Sequence, residues 1–345
     1  LNIIHDVGET PMTISREVRL KSRPVGLPTA DNFEMATVTL PDPGPGEIQV
    51  RNTWMTVDPY MRGRMNDVKS YSAPWALGEV MQGGSVGEVI ASNAPSLKVG
   101  DLVQGNYAWR EAYNAPATAV QKLETFGLPP QAFLGVAGMP GLTAYAGLLR
   151  IAALKEGDVV FVSAASGAVG SVVCQIAKIK GHKVIGSAGG PEKVAFLKDE
   201  LGVDEAIDYK AVPSLIQALE KAAPEGIDVY FENVGGEHLE AALNSARPFG
   251  RFALCGMISA YNATTPPPGP RNLGQAVGKN LRLEGFIVSH HYDLQPAFHR
   301  DLAEWHAAGK IKWRETVMVG IEKAPDAFLA LFSGGNFGKM LVKLS

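Results

Sequence analysis

The apolar positions of this chain change period several times, and each change marks an element. Val159 to Val162 is an unbroken run, rich in β-branched residues and bounded by Gly157 and Asp158. Such a run reads as a buried parallel strand. From Ser171 onward Val172, Val173, Ile176 and Ala177 recur at helical spacing, and Gly181 supplies a stop. A second β-branched pair, Val184 and Ile185, follows, completing a strand–turn–helix–strand unit. The alternation then continues. Helices are predicted over 192–201, 213–223 and 238–246, and strands over 206–209, 228–233, 251–256 and 281–288. Six strands with intervening helices make a doubly wound parallel sheet of the Rossmann type. Ligands bind such sheets at the carboxyl ends of the strands, where Asn233, residues 255–261 and residues 286–288 fall.

The flanking regions have a different rhythm. Residues 16–20, 35–40, 48–51 and 88–90 read as short strands, with 41–46 (PDPGPG) a turn and 97–103 a turn leading into a strand, which suggests a small barrel-like β domain. Residues 129–149 read as helical, with residues 139–145 entering a helix after a turn. Residues 56–63 read as a loop or a short helix start, in which Tyr60 and Arg62 read either as site-lining residues or as a packed tyrosine and half of a structural ion pair. At the end, helices over 297–308 and 324–332 alternate with strands over 316–319 and 340–344. These elements are expected to rejoin the N-terminal domain, placing the Asn336-Phe337-Gly338-Lys339 turn near the interdomain cleft. The division is 13–140 and 296–345 for a catalytic domain and 141–295 for a cofactor domain. Met12 reads as a natural start, with residues 1–11 an added segment.

Composition narrows the function classes. A length of 345 residues favours two domains, and a net charge of −3 argues against a nucleic-acid partner. No apolar run approaches a membrane span, and the first 25 residues lack a secretory pattern, so the expected location is the cytoplasm, with no membrane partner. The two cysteines, Cys174 and Cys255, read as small buried hydrophobes in a reducing compartment. They cannot supply the Cys and His ligands of a zinc dehydrogenase, and the region where a GHE motif would fall reads Gly78-Glu79-Val80. No metal is expected. His290 and His291 are adjacent on a stretch read as extended, so their side chains diverge.

The turn after the first strand carries the chemistry. Its pattern is AxxGxxG, with Ala164 or Ala165 where the first glycine usually stands. Gly167 allows close approach of a pyrophosphate and Gly170 allows close helix–strand packing, with Ala168 and Val169 between them. The helix start favours an anion. No carboxylate ends the second strand, where an NAD-binding unit usually holds one. The tip reads Gly186-Ser187-Ala188-Gly189-Gly190, with Lys193 in the next first turn. Room plus a cation suits the 2′-phosphate of NADP(H).

Eight motifs in order then carry a resemblance: VDPYMRGRM (57–65), GMPGLTAY (138–145), AASGAVGS (164–171), EK (192–193), FENVGG (231–236), CGMISAYN (255–262), FIV (286–288) and GNFGK (335–339). Over nearly its whole length the chain resembles the zinc-independent medium-chain dehydrogenase/reductases of the NADPH-dependent alkenal/one reductase group. These include prostaglandin reductases, plant double-bond reductases and bacterial curcumin-reductase-like proteins. The resemblance implies a Rossmann domain beside a partly barrel-like, GroES-like catalytic domain, and a homodimer. It implies that Gly167, Ala168, Val169 and Gly170 hold the pyrophosphate, Lys193 the 2′-phosphate, and Tyr209 and Asn233 the adenosine and ribose side. Cys255, Gly256, Met257, Ile258, Ser259, Tyr261, Phe286, Ile287, Val288 and Asn336 would complete the nicotinamide pocket. Tyr261 would donate to or polarise a substrate carbonyl, with Tyr60 its neighbour. The implied reaction is reduction of the C=C bond of a conjugated ketone or aldehyde. An NADPH quinone reductase, or an NADPH-binding protein without catalysis, stays open.

Overall fold

The structure is a computed structural model that describes residues 12–345, so the reading of residues 1–11 lies outside the described residues. The expected parallel sheet is present. Its order is Glu205–Asp208, Lys183–Ala188, Val159–Val162, Ile227–Glu232, Ala246–Leu254, Arg282–Gly285. Every neighbouring pair is parallel. The order reverses direction between Val159–Val162 and Ile227–Glu232, which creates the switch point where such sheets bind ligands. Val160, Phe161, Val162, Val229, Tyr230 and Phe231 have no exposed surface. Covered on both faces, these strands have no polar side to alternate with, hence their unbroken apolar runs. Helix Gly170–Ile179 buries Val173, Ile176 and Ala177 against the sheet. Each fully buried aliphatic side chain stabilises by about 1.5–3 kcal/mol.

The second region centres on Glu47–Thr56. This strand pairs antiparallel with Ser85–Ser92, Ala112–Pro116 and Lys339–Lys343 in a seven-stranded sheet. Ala112–Pro116 was not anticipated, because AYNAP ends in proline and holds an asparagine, both poor strand signals. Thr13–Leu20 and Phe33–Leu40 form a separate antiparallel ribbon. The C-terminal strands rejoin the N-terminal region as expected, with Leu341 opposite Thr56. Helix Gln295–Ala307 first sets Phe298, Leu302 and Trp305 into the core beneath the parallel sheet, with Val160 and Val162.

Three expectations need correction. Residues 129–149 are not helical throughout: the helix expected after a turn is Met139–Ala146, preceded by a separate 3₁₀ segment Pro130–Leu134 and followed by a π-helical turn Gly147–Ile151. Pro140 lacks the N–H a continuous helix needs, yet suits the first turn of a new one. The last parallel strand is Arg282–Gly285, shorter than 281–288 and largely exposed, because the apolar Phe286, Ile287 and Val288 lie beyond it. His290 and His291 are not on an extended strand but lie in Val288–Leu294, two short 3₁₀ turns joined by a kink at His291, whose ring faces that of Phe286 at 6.2 Å.

Candidate active site

The switch-point turn is built as its small residues demand. Ala164 occupies the left-handed region at φ 47°, the position that the missing first glycine would fill. Gly170 is obligatory in packing terms, since a Cβ there would lie 2.3 Å from Ala164 O. At Gly167 the only atom within 4 Å of a notional Cβ is Ala164 O at 3.2 Å, so that face is open to a ligand. Ala168 and Val169 are half-buried beside it. The opposite wall comes from the other end of the chain. Gly338 N–H donates to Ser166 O at 3.0 Å, and Gly167 and Gly338 form a β-bridge. Asn336 closes this loop by donating to Gly338 O at 2.9 Å.

Beside the turn lies a cavity of about 520 Å³ lined by Gly189, Gly190, Pro191, Glu192, Lys193, Thr316, Gly334, Gly335, Asn336 and Phe337. Lys193 donates to Gly334 O at 2.8 Å. Burial and the nearby Lys210 both press its pKa down. Two like charges held together are relieved by an anion, which fits a 2′-phosphate. Lys210 was missed at the sequence level, where nothing distinguished it from an ordinary surface lysine. Tyr209 is exposed and meets the His238 ring edge-on at 5.1 Å.

At the far end of the cleft, a buried carboxylate organises the strand tips. Glu232 accepts from Ser163 Oγ at 3.1 Å, Val234 N at 2.6 Å and Gly235 N at 2.8 Å. Its backbone carbonyl accepts from Cys255 and Gly256. Burial raises its pKa despite these donors. Asn233 donates its side-chain amide to Ser163 O at 2.7 Å. Ile258 N bonds Asn233 O and Ser259 Oγ bonds Val234 O, tying the 255–261 segment to the FENVGG turn. Glu232 was also missed, although an acid closing the apolar run Val229 to Phe231 was visible. Phe286 turns its ring inward against Phe231, 6.2 Å between centroids. Ile287 and Val288 are half-buried, Val288 against the core below.

Tyr261 folds back over this platform. Its hydroxyl oxygen accepts Met257 N–H at 3.3 Å and stands over Gly256, where a Cβ would be 2.9 Å away. Its own proton remains available to a ligand. Burial raises the Tyr261 pKa, as do the fields of Cys255 and Tyr71. Burial likewise lifts the Tyr60 phenol well above its usual range, with Asp58, Tyr71 and Tyr292 adding to it and Arg64 opposing. The cleft therefore gathers tyrosines, of which Tyr71 and Tyr292 were not foreseen because neither lies in a recognisable pattern. Arg62 corrects an expectation. It is buried, yet among the described residues it forms no ion pair, and its guanidinium bonds only neutral oxygens. Cys174 is buried and Cys255 half-buried, both as free thiols that burial makes poor acids. Among the described residues no group of three or more His, Cys, Asp or Glu side chains is placed to hold a metal.

A doubly wound sheet whose switch-point turn meets a loop from a β domain is the layout of a two-domain, dinucleotide-dependent oxidoreductase. Residues 16–123 match the family model described as the N-terminal domain of oxidoreductase, and residues 168–304 the one described as zinc-binding dehydrogenase. NADPH-dependent curcumin reductase of Escherichia coli (strain K12) is 41% identical over 331 residues, covering 94% of this chain and 96% of that protein. The 2-alkenal reductase (NADP(+)-dependent) of Nicotiana tabacum is 42% identical over 337 residues, covering 96% and 98%. The crystal structure of CurA in complex with NADPH from Vibrio vulnificus matches with a TM-score of 0.90 at 45% identity, covering 96% and 99%. The chain belongs to the medium-chain dehydrogenase/reductases, in the NADP-dependent alkenal/one reductase group. The open face at Gly167, the packing need at Gly170 and the Lys193–Lys210 pair beside the cavity fit an NADP(H) molecule.

Proposed function

We propose that this protein reduces the C=C bond of α,β-unsaturated ketones and aldehydes with NADPH. The observation that carries the reading is the Tyr261 hydroxyl, braced by Met257 N–H at the strand tips with its proton free to donate. NADPH, when bound, supplies the hydride that the β-carbon accepts. Gly167, Ala168, Val169 and Gly170 would seat its pyrophosphate, and Lys193 its 2′-phosphate. Tyr209 and Asn233 would take the adenosine and ribose side. Residues 255–259, 286–288 and Asn336 would surround the nicotinamide. Tyr261, with Tyr60 assisting, would stabilise the negative charge that develops on the substrate carbonyl oxygen. Both phenols stay protonated because burial disfavours their anions.

An NADPH-oxidation screen across enals, enones, quinones and simple alcohols tests this. Enals and enones should turn over, while isolated alkenes, which cannot delocalise the charge, should not. Turnover confined to quinones or alcohols would overturn the reading. Two further parts of the proposal concern the setting. The free thiols suit a reducing compartment, and we assign the cytoplasm. The outer edge of Arg282–Gly285 has no strand beside it among the described residues, and an open edge invites pairing with a second copy. A homodimer through that edge should give twice the 36.7 kDa chain mass by light scattering at micromolar concentration. A strictly monomeric mass would count against it.

A further inference from the structure

We infer that two polar contacts, Asp58 with Lys339 and Arg62 with Asn262, are a pair of staples that set Tyr60 against the two cofactor-side loops. The inference rests on the reading of the cleft as an NADPH site. It starts from the short segment 58–62, which carries Tyr60 at its middle. At one end, Asp58 Oδ1 accepts from Lys339 Nζ at 2.8 Å, and that ammonium also donates to Val57 O at 2.9 Å. Asp58 Oδ2 is occupied by Thr56 Oγ1 at 2.8 Å. Both partners are almost wholly buried, the side chains 7% and 5% exposed. At the other end, Arg62 Nε donates to Asn262 Oδ1 at 3.1 Å. The rest of its fork holds Gly26 O at 2.8 Å and Asn66 Oδ1 at 2.7 Å.

What the staples reach matters more than their strength. Lys339 directly follows Gly338, whose N–H bonds Ser166 O in the pyrophosphate turn. Asn262 directly follows Tyr261. One segment of the β region is thus fastened at one end to the loop that caps the cofactor turn and at the other to the loop that carries the proposed donor. A surface ion pair would do little positioning. A buried pair has no competing water and holds one geometry, and removal of one partner strands the other's charge. A planar guanidinium spread over four backbone and amide oxygens, Pro24 O among them, is likewise held in one orientation. Both ends are positioning residues, with different duties. The Asp58–Lys339 staple governs cofactor seating, and the Arg62–Asn262 staple governs where Tyr261 stands.

The duties predict a split that general destabilisation would not produce. The full chain is compared with Asp58→Asn/Lys339→Met, which removes the ion pair without stranding a charge, and with Asn262→Ala. Four quantities are read: Tm, the NADPH Kd from cofactor fluorescence, kcat with cinnamaldehyde, and backbone hydrogen exchange of residues 257–264. The double variant should bind NADPH about tenfold more weakly while Tm stays near the parent's, since the pair orients more than it stabilises. Asn262→Ala should keep the parent's NADPH Kd within about twofold and lose about tenfold in kcat, because a slightly misplaced donor costs that much. Exchange of 257–264 should accelerate in Asn262→Ala alone. The inference is overturned if the double variant binds NADPH as tightly as the parent. It is equally overturned if Asn262→Ala leaves both kcat and exchange unchanged, or if every readout simply follows Tm. Should the parent bind NADPH but reduce no enal, the reaction reading fails, and the Kd and exchange arms still judge the staples.

Discussion

In the proposed reaction Tyr261 is the residue on which the chemistry turns, and its surroundings say what its replacement will do. The ring packs over Gly256 and the hydroxyl bonds Met257 N–H. Tyr261→Phe keeps the ring and deletes the donor, so NADPH affinity should persist. A donor aimed at a developing oxyanion is worth roughly 3–4 kcal/mol, so kcat for an enone should fall on the order of 10²-fold. Unchanged turnover in steady-state assays would reduce Tyr261 to a packing role. Because burial raises the pKa of both Tyr60 and Tyr261, the wild-type rate should show no loss from phenol ionisation as pH climbs to about 10, the ordinary tyrosine value. In the proposed site Lys193 is the residue that selects the cofactor. With no carboxylate at Ala188 and the ammonium beside the 520 Å³ cavity, Lys193→Ala should raise KM for NADPH about tenfold and barely alter that for NADH. Equal use of NADH and NADPH by the unaltered protein would refute this assignment.

At the scale of elements, Gly170 shows how one position serves packing and binding together. A Cβ there would stand 2.3 Å from Ala164 O and 2.9 Å from Ala165 Cα, both backbone atoms that cannot step aside. Gly170→Ala should therefore push helix Gly170–Ile179 off strand Val159–Val162. The expected cost is roughly 3 kcal/mol of stability, at the upper end for overpacking, with NADPH binding weakened. A urea melt and a fluorescence titration check both, and an unaltered melt would mean the turn is softer than its geometry implies. This unit was legible in the sequence because its requirements are local: an apolar run, small residues at fixed spacing, then helical period. The parallel strands were legible for the same reason. In the 129–149 stretch the helix opening at Met139 was legible from the turn before it and from Pro140 in its first turn, whereas the separate 3₁₀ segment Pro130–Leu134 was not, because its apolar residues suit any helix. The strand Ala112–Pro116 was missed because pairing with Glu47–Thr56, not its own composition, makes it a strand. Glu232, Lys210, Tyr71 and Tyr292 were missed for a related reason. Each joins the cleft only through tertiary placement that no spacing announces.

For the molecule as a whole, the clearest handle on stability is acid, and His238 supplies it. This residue begins the buried side of helix Glu237–Ser245 and is only 4% exposed. Its ring bonds Ser187 Oγ at 2.9 Å beneath Tyr209. Burial pushes its pKa down to about 4 from the ordinary histidine value of 6.5. The unfolded chain therefore takes up a proton between those values that the folded chain refuses. His238 contributes stability that is fully present above about pH 6.5 and lost as pH falls toward 4. Between pH 7 and 5 the loss should be about 2 kcal/mol. Other groups act in the same range with opposite signs. Burial raises Glu232 and Glu315, which favours the folded state as pH drops, whereas ion pairing lowers Asp204 and Glu111, whose contributions disappear only at more acid pH. The parent's curve alone would mix these terms. The difference between the parent and His238→Gln cancels them, since every other group is common to both. Unfolding free energies from urea melts at pH 7 and pH 5 should show the parent losing about 2 kcal/mol more than the variant. If the two lose equally, His238 is protonated in the folded protein and its burial is offset by a partner not apparent in its Ser187 contact.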